Sequence, residues 1–333
     1  MAQILLHADN LKKHYPVRRP SSLLAYDTLK AVDGVSFDLF AGETLSIVGE
    51  SGCGKSTTRK LLLNVEPPTD GTVSYAGENV FAMGRRALVR YRRNVQMIYQ
   101  DPYSSLDPKW KVGSLITEPL AVHRIGTRAS RREKALELMA LVGLRETAVD
   151  KFVHEFSGGQ RQRIGIARAL ALDPRVIIAD EPVSALDVSI QAQVVNLLLD
   201  LKERLGLTYV FISHDLSVVK YISDRVAVMY LGKIVETAPK RTFFDRPLHP
   251  YSKLLLKSVP VPDPDVPISA SASGGEVPSP IDPPPGCPFH PRCPHAMEVC
   301  RRVEPPVYVP EAGREVKCHL YASEGDPEGG TQQ

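Results

Sequence analysis

Short apolar runs and longer amphipathic stretches alternate along most of this chain. The runs TLSIVG, RVIIAD, LTYVFIS and RVAVMY are rich in β-branched and aromatic residues, as strands are. Between them lie segments such as SIQAQVVNLLLDLKERLG, whose apolar positions recur at helical spacing. Over residues 3–258 this alternation predicts an α/β domain with a mainly parallel sheet. Three stretches depart from it: ILLHADNLKKHY, KAVDGVSFDLFAGE and DGTVSYAGENV read as antiparallel strands joined by turns, forming a side sheet.

Between Asp101 and about Leu170 strand signals nearly vanish, while ASRREKALELMALVGL and QRQRIGIARALALD carry helical periodicity, so a helical subdomain is expected over residues 101–170. A domain of residues 1–258 then ends at a break in composition. Residues 259–286, VPVPDPDVPISASASGGEVPSPIDPPPG, are too rich in Pro, Ser and Gly to hold regular structure and read as an extended linker. Residues 287–320 read as a separate small cysteine-rich module, and residues 321–333 as a disordered tail.

The 333 residues, 43% hydrophobic and 24% charged, suffice for one large core plus an appendage. A net charge of +3 gives no case for a nucleic-acid partner held by bulk electrostatics. No window approaches the ~18 apolar residues of a membrane-spanning helix, and the N-terminus lacks a basic, then apolar, leader pattern. The expected location is therefore the cytosol, where clustered cysteines point to metal or redox chemistry more than to disulfides.

The segment GESGCGKST, Gly49 to Thr57, follows the apolar run TLSIV and precedes TRKLLLNV, placing a phosphate-binding loop between strand and helix. Gly49, Gly52 and Gly54 let the backbone curl so that amides face phosphate oxygens, aided by the helix N-terminus. Lys55 supplies a point charge to the β- and γ-phosphates, and the Ser56 hydroxyl can ligate Mg²⁺. Ser51, Cys53 and Thr57 complete the nucleotide-binding set, Cys53 at a free position of the loop. In RVIIADEP, Asp180 ends a buried strand where it can hold Mg²⁺ through water, and Glu181 can polarise an attacking water. A strand ending in two acids would be ordinary alone.

With FSGGQRQRIGIARAL about a hundred residues after that loop, the sequence resembles the ATP-binding-cassette (ABC) ATPases. The resemblance implies a P-loop NTPase (RecA-like) core with an antiparallel β subdomain and an α-helical signature subdomain. It also implies Gln100 in IYQDP as the Q-loop glutamine, sensing Mg²⁺ and water, SALD (Ser184 to Asp187) as the D-loop, and His214 in ISHD as the switch histidine. Tyr15 is the expected adenine-stacking aromatic, with Tyr26 its competitor. The signature residues Ser157, Gly158, Gly159 and Gln160 would open a helix whose amides close over the nucleotide held by a second subunit, head to tail. Phe156 stands where the generic signature has Leu. In hydrolysis Glu181 would act as general base or water-orienting group, with His214, Gln100 and Lys55 around the γ-phosphate.

Further stretches, QDPYSSLDP, DEPVSALDVSIQAQVVNLL, PLHPYSKLLLKSVP and PSPIDPPPGCPFHPRC, resemble the ATPase subunits of bacterial dipeptide and oligopeptide importers, a group that includes nickel importers. That resemblance implies a peripheral subunit on the cytoplasmic face of the inner membrane. Its partners would be a second, paralogous ATPase, two permeases and an external solute-binding protein, with no nucleic acid. The permease contact is expected near residues 101–118, where the apolar Leu106, Trp110 and Leu115 are equally compatible with that contact and with an ordinary core. The competing reading, a non-transport cassette protein acting on ribosomes or DNA, would call for paired cassettes, long insertions or a basic surface.

Cys287, Cys293, Cys300 and Cys318 are separated by five, six and seventeen residues. Four thiolates suit tetrahedral Zn²⁺ or a 4Fe–4S cluster, and the spacing lacks the close pairs of zinc knuckles. Similar tails in peptide-importer ATPases are associated with a 4Fe–4S cluster, and the resemblance carries that expectation onto these four residues. His290, His295 and His319 nearby are left out of the set.

Overall fold

In the computed structural model, which describes residues 3–19, 26–258 and 276–322, the apolar runs become neighbouring strands of one sheet. Strands β6 (Val95–Ile98), β7 (Val176–Asp180), β8 (Thr208–Ser213), β3 (Thr44–Val48) and β9 (Arg225–Tyr230) lie parallel in that order. Every residue of β3, β7 and β8 is buried. The alternation of side chains splits them between two cores: Val176, Ile178, Val210 and Ile212 face one, Ile177, Ala179, Tyr209 and Phe211 the other.

The first core is shared with a four-stranded antiparallel sheet in the order β2–β1–β4–β5, comprising β1 (Ile4–Arg18), β2 (Tyr26–Phe40), β4 (Asp70–Tyr75) and β5 (Glu78–Asn79). Leu6, Leu11, Val32, Val35, Leu39 and Val73 pack there with Leu45, Ile47 and with Leu61 and Leu62 of α1 (Lys55–Leu62). The second core is covered by α6 (Gly158–Leu170) and α7 (Val188–Leu205), the latter stopped by Gly206 at φ 63°, a left-handed cap suited to glycine. Residues 102–170 hold α3 (Pro102–Ser105), α4 (Val112–Val122), α5 (Arg128–Leu141) and α6 with no strand among them. Leu106 and Leu115, candidates for an outward contact, are 2% exposed and belong to this core; Trp110 is 43% exposed. The remaining helices are α2 (Arg85–Asn94), α8 (Leu216–Ile222), α9 (Lys240–Asp245) and α10 (Pro250–Lys257).

The cysteine-rich segment departs from the expectation of a separate module. After β9 the sheet continues antiparallel through β10 (Lys233–Pro239), β12 (Arg314–Val316) and β11 (Tyr308–Glu311), so the C-terminal residues form its edge. Cys287, Phe289 and Cys300 share a core with Tyr230, Phe243 and Tyr251. A buried ion pair reinforces the join: Arg314 Nη2 lies 3.5 Å from Glu236 Oε1, and that carboxylate also accepts from the amides of Leu248 and His249 at 2.9 and 2.8 Å. The physical reason is size. A segment of some thirty residues cannot bury enough apolar surface alone, and borrows it from the sheet. Residues 259–275 of the expected linker and 323–333 of the expected tail lie outside the described residues.

Candidate active site

The loop between β3 and α1 is shaped by close approach of backbone to backbone. A Cβ on Gly49 would stand 2.2 Å from the Met229 carbonyl oxygen, and one on Gly54, at φ 111°, 2.3 Å from that of Ala31. Only glycine fits either place. Lys55, 7% exposed, donates from Nζ to the carbonyls of Gly49 and Glu50 at 2.7 and 2.9 Å, so the ammonium is held at the loop's rim. Above the loop opens a cavity of about 670 Å³ that gathers Ser51, Gly52, Gly54, Lys55, Ser56, Thr57, Gln100, Glu181 and His214. Leu29 and Ala31 of β2 and Pro280 complete its wall.

Three of those residues are already joined. Gln100 Nε2 donates to Glu181 Oε2 at 2.9 Å, and His214 Nδ1 lies 2.9 Å from Glu181 Oε1. Glu181 adopts φ 44°, a strained conformation for a non-glycine residue, held by its own amide donating to Ile212 at 2.8 Å. Ser184 of the D-loop donates from Oγ to the Glu181 carbonyl at 3.1 Å. This arrangement puts a carboxylate, an amide and an imidazole on one wall of the cavity above the loop. It can orient a water toward a γ-phosphate.

Asp180 lies deeper. Burial pushes its carboxyl above the ordinary range, opposed by the guanidinium of Arg59, which is ion-paired with it from α1. Cys53 is buried as well, 4% exposed, and desolvation raises its thiol pKa against the pull of Lys55. Its side chain points into the core beside Gly49, so the position is not free as the loop pattern suggests.

Ser157 caps α6. Its Oγ accepts from Gln160 N at 3.4 Å while Gln160 Oε1 accepts from Ser157 N at 3.0 Å, a reciprocal box that leaves the Gly158 and Gly159 amides as first-turn donors. Ser157, Gly158, Gly159 and Gln160 do not line the cavity above the loop, nor does Asp187, which precedes α7. Tyr15 approaches the loop through its hydroxyl, which donates to Glu66 at 2.5 Å and meets Thr57; burial, then Glu66, pushes its pKa up to about 12. Tyr26 is 60% exposed.

The four C-terminal cysteines are unpaired, and Cys287, Cys300 and Cys318 are each 8% exposed. Burial pushes the Cys287 thiol up to about 12 and the Cys318 thiol to about 11, and neighbouring cysteine sulfurs add to both shifts. The backbone N–H groups of Phe289, His295 and Leu320, each two residues beyond its cysteine, donate to Cys287, Cys293 and Cys318. Among the described residues no group of three or more His, Cys, Asp or Glu side chains is gathered to hold a metal ion, so the expected zinc or iron–sulfur centre is not shown by this structure.

Residues 32–184 match the ABC transporter family, and residues 235–300 the oligopeptide/dipeptide transporter C-terminal region. The chain is 50% identical over 323 residues to the oligopeptide transport ATP-binding protein AppF of Bacillus subtilis, covering 96% of this chain and 98% of the relative. It belongs to the ABC transporter ATP-binding proteins of the oligopeptide/dipeptide group. The dipeptide transport ATP-binding protein DppF of Escherichia coli is 51% identical over 306 residues, covering 92% of this ABC ATPase and 91% of the relative. Among solved structures, an ATP-binding cassette in a dimeric post-hydrolysis state with ADP and phosphate superposes at a TM-score of 0.62, with 29% identity, over 71% of this chain and 99% of that one.

Three residues of this ABC ATPase touch the site without being legible in its sequence. Arg59 pairs with Asp180, Pro280 lines the cavity and accepts from Lys30 N at 3.1 Å, and Arg292 pairs with Glu50 of the loop. The invariably short reach of the loop pattern gives no signal for partners so distant along the chain, although an acid at Glu50 beside a phosphate site asks for a cation.

Proposed function

We propose that the chain is the ATP-hydrolysing subunit of a peptide importer, and that the cavity above the phosphate loop is its catalytic site. The observation that carries the reading is Glu181, which accepts from Gln100 and meets His214 on the wall facing Lys55. Glu181 draws a proton from water or holds it in line, Gln100 orients the same water, and His214 steadies the γ-phosphate; Ser56 and Gln100 would hold Mg²⁺, which would supply charge neutralisation there. Asp180, ion-paired with Arg59 in this structure, would serve that metal through water. Tyr15 takes the adenine.

The first turn of α6, with Ser157, Gly158 and Gly159 exposed or half-buried, is suited to close over the nucleotide of a second ATPase subunit. Asp187 lies at that same seam. One of the two permeases would dock at the cleft of about 370 Å³ between the helical residues and the sheet, lined by Tyr99, Pro102, Pro119 and Val122. No described helix is long and apolar enough to cross a membrane. Family membership supports a peripheral place on the cytoplasmic face, with an external binding protein delivering peptide to the permeases. The peptide naming of the relatives favours this reading over nickel import or a non-transport role.

For the C-terminal cysteines the reading is a 4Fe–4S cluster held by Cys287, Cys293, Cys300 and Cys318. The amide donors aimed at three of these sulfurs suit thiolate ligands, although in this structure the described side chains are not gathered into a metal-holding group. Bound there, the group would cross-link the segment and accept or give an electron.

The deciding experiment uses Glu181→Gln in the importer reconstituted with its permeases and binding protein. ATP binding is retained, while ATP turnover and labelled dipeptide uptake fall together. Normal turnover would overturn the role of Glu181; uptake of nickel without peptide would move the chain to the metal-importing group. Iron, acid-labile sulfide and zinc measured per polypeptide on anaerobically purified protein test the cluster, and one zinc without sulfide overturns it.

A further inference from the structure

The C-terminal segment meets the phosphate loop directly. Arg292, one residue before Cys293, donates to Glu50 through both terminal nitrogens, Nη1 to Oε2 at 2.8 Å and Nη2 to Oε1 at 3.0 Å. Its side chain is 8% exposed and lies over the rings of Tyr230 and Phe289, at 5.9 and 5.8 Å. Glu50 is held at its other polar atoms too. Its amide donates to the Tyr251 hydroxyl at 2.9 Å, and its carbonyl accepts from Lys55 Nζ at 2.9 Å and from Cys53 N at 3.3 Å.

One residue therefore links the guanidinium of the cysteine segment to the lysine that faces phosphate. A second contact lies across the cavity, where Pro280, anchored by Lys30, forms part of the wall. The chemistry gives the pair a purpose. A carboxylate in the loop repels the anion the loop must hold, unless a cation neutralises it. The two-pronged geometry also fixes the carboxylate's plane, which an ammonium cannot do.

We propose that Arg292 is a positioning residue for nucleotide binding: by neutralising and pinning Glu50, the C-terminal segment sets the affinity of the chain's own phosphate loop for ATP. The inference rests on reading that cavity as the ATP site. Arg292 touches no nucleotide itself and acts through Glu50 and Lys55. Loss of the guanidinium leaves a negative charge in the loop and frees a residue that also holds the Lys55 ammonium.

The test measures equilibrium binding of a fluorescent ATP analogue, mant-ATP, to the full chain, and KM for ATP and kcat in the assembled importer. Arg292→Met is expected to weaken binding about tenfold and raise KM in step, with kcat at saturating ATP within about twofold, because a charge-assisted bidentate pair is lost. Arg292→Lys, which keeps the charge and the apolar stem, is expected to weaken it about threefold, and carries the test should the Met variant fail to fold. Glu50→Gln combined with Arg292→Met removes both charges and restores most of the affinity. Unchanged affinity in the single variants overturns the proposal. So does a fall in kcat and binding stoichiometry at unchanged KM, the mark of a merely structural role. A wild-type chain that binds no mant-ATP refutes instead the reading of the cavity.

Discussion

Arg59 is ion-paired with Asp180, the guanidinium one turn beyond Lys55 on α1 meeting the carboxylate that ends β7. The guanidinium opposes the burial that disfavours the acid's charge. Burial still prevails, and Asp180 titrates above the ordinary carboxylate range. A folded-state pKa above the unfolded one means that the folded chain holds the proton more tightly, so stability is lost as pH rises through that interval and the loss is complete above it. At pH 7 Asp180→Asn is therefore expected to leave the melting temperature unchanged or raised, with any gain vanishing toward acid pH, while Mg²⁺-dependent ATP turnover disappears. Thermal unfolding across pH and an ATPase assay check both arms.

His249 gives the opposite acid dependence. It is buried at the start of α10, where Nδ1 accepts from Tyr251 N at 3.0 Å, and desolvation lowers its pKa to about 3. The unfolded chain takes up that proton near the ordinary histidine value and the folded chain resists, so stability falls as pH drops from about 6.5 toward 3, by up to about 1.4 kcal/mol per unit. His249→Asn, which keeps a capping acceptor, should flatten this slope in denaturant titrations run between those pH values.

Gly159 separates binding from turnover. A Cβ there would stand 2.5 Å from Cγ2 of Ile190, so Gly159→Ala displaces the first turn of α6 from α7. The phosphate loop is untouched. ATPase activity of the assembled importer is expected to fall by about 10²-fold, the scale of losing one well-placed amide donor to a transition state, whereas mant-ATP binding to the isolated chain stays at the wild-type level.

Cys53 should resist alkylation. Its thiol is buried and its pKa raised, so native protein is expected to react with iodoacetamide more slowly than the same protein in denaturant, and ATP should slow it further. Peptide mapping after timed quenching follows the modification. Rapid labelling of native protein would contradict the buried placement.

Phe289 tests whether the cysteine segment is part of the main fold. Its ring lies 5.4 Å from those of Tyr230 and Tyr251, in the core that also holds Phe243. Phe289→Ala is expected to cost about 3–5 kcal/mol, in a single unfolding transition that includes the sheet. An unchanged main transition would make the segment independent.

Patterns confined to one stretch were legible in the sequence. TLSIV before GESGCGKST placed β3, the loop and α1, and FSGGQ placed the cap of α6, because each depends on local backbone conformation. What escaped was pairing across distance. Nothing in REV forecasts that Arg314–Val316 joins β10, since three residues carry no period, and the linker composition before Cys287 suggested detachment where the chain in fact returns. Arg59 carries no local mark of its role, which depends on β7, more than a hundred residues later. Leu106 and Leu115 were equally compatible with a surface contact and a core, and packing against the signature helix decided for the core.

The bond between Arg292 and Glu50 joins positions 242 residues apart. During synthesis the phosphate loop leaves the ribosome first and waits for its guanidinium, on the order of tens of seconds at about 5–20 residues per second. A chain cut short before that point carries every signature motif yet leaves Glu50 without this partner. On the proposed role of Arg292, full affinity of the loop for ATP becomes a property of the finished polypeptide, which a truncated product would lack.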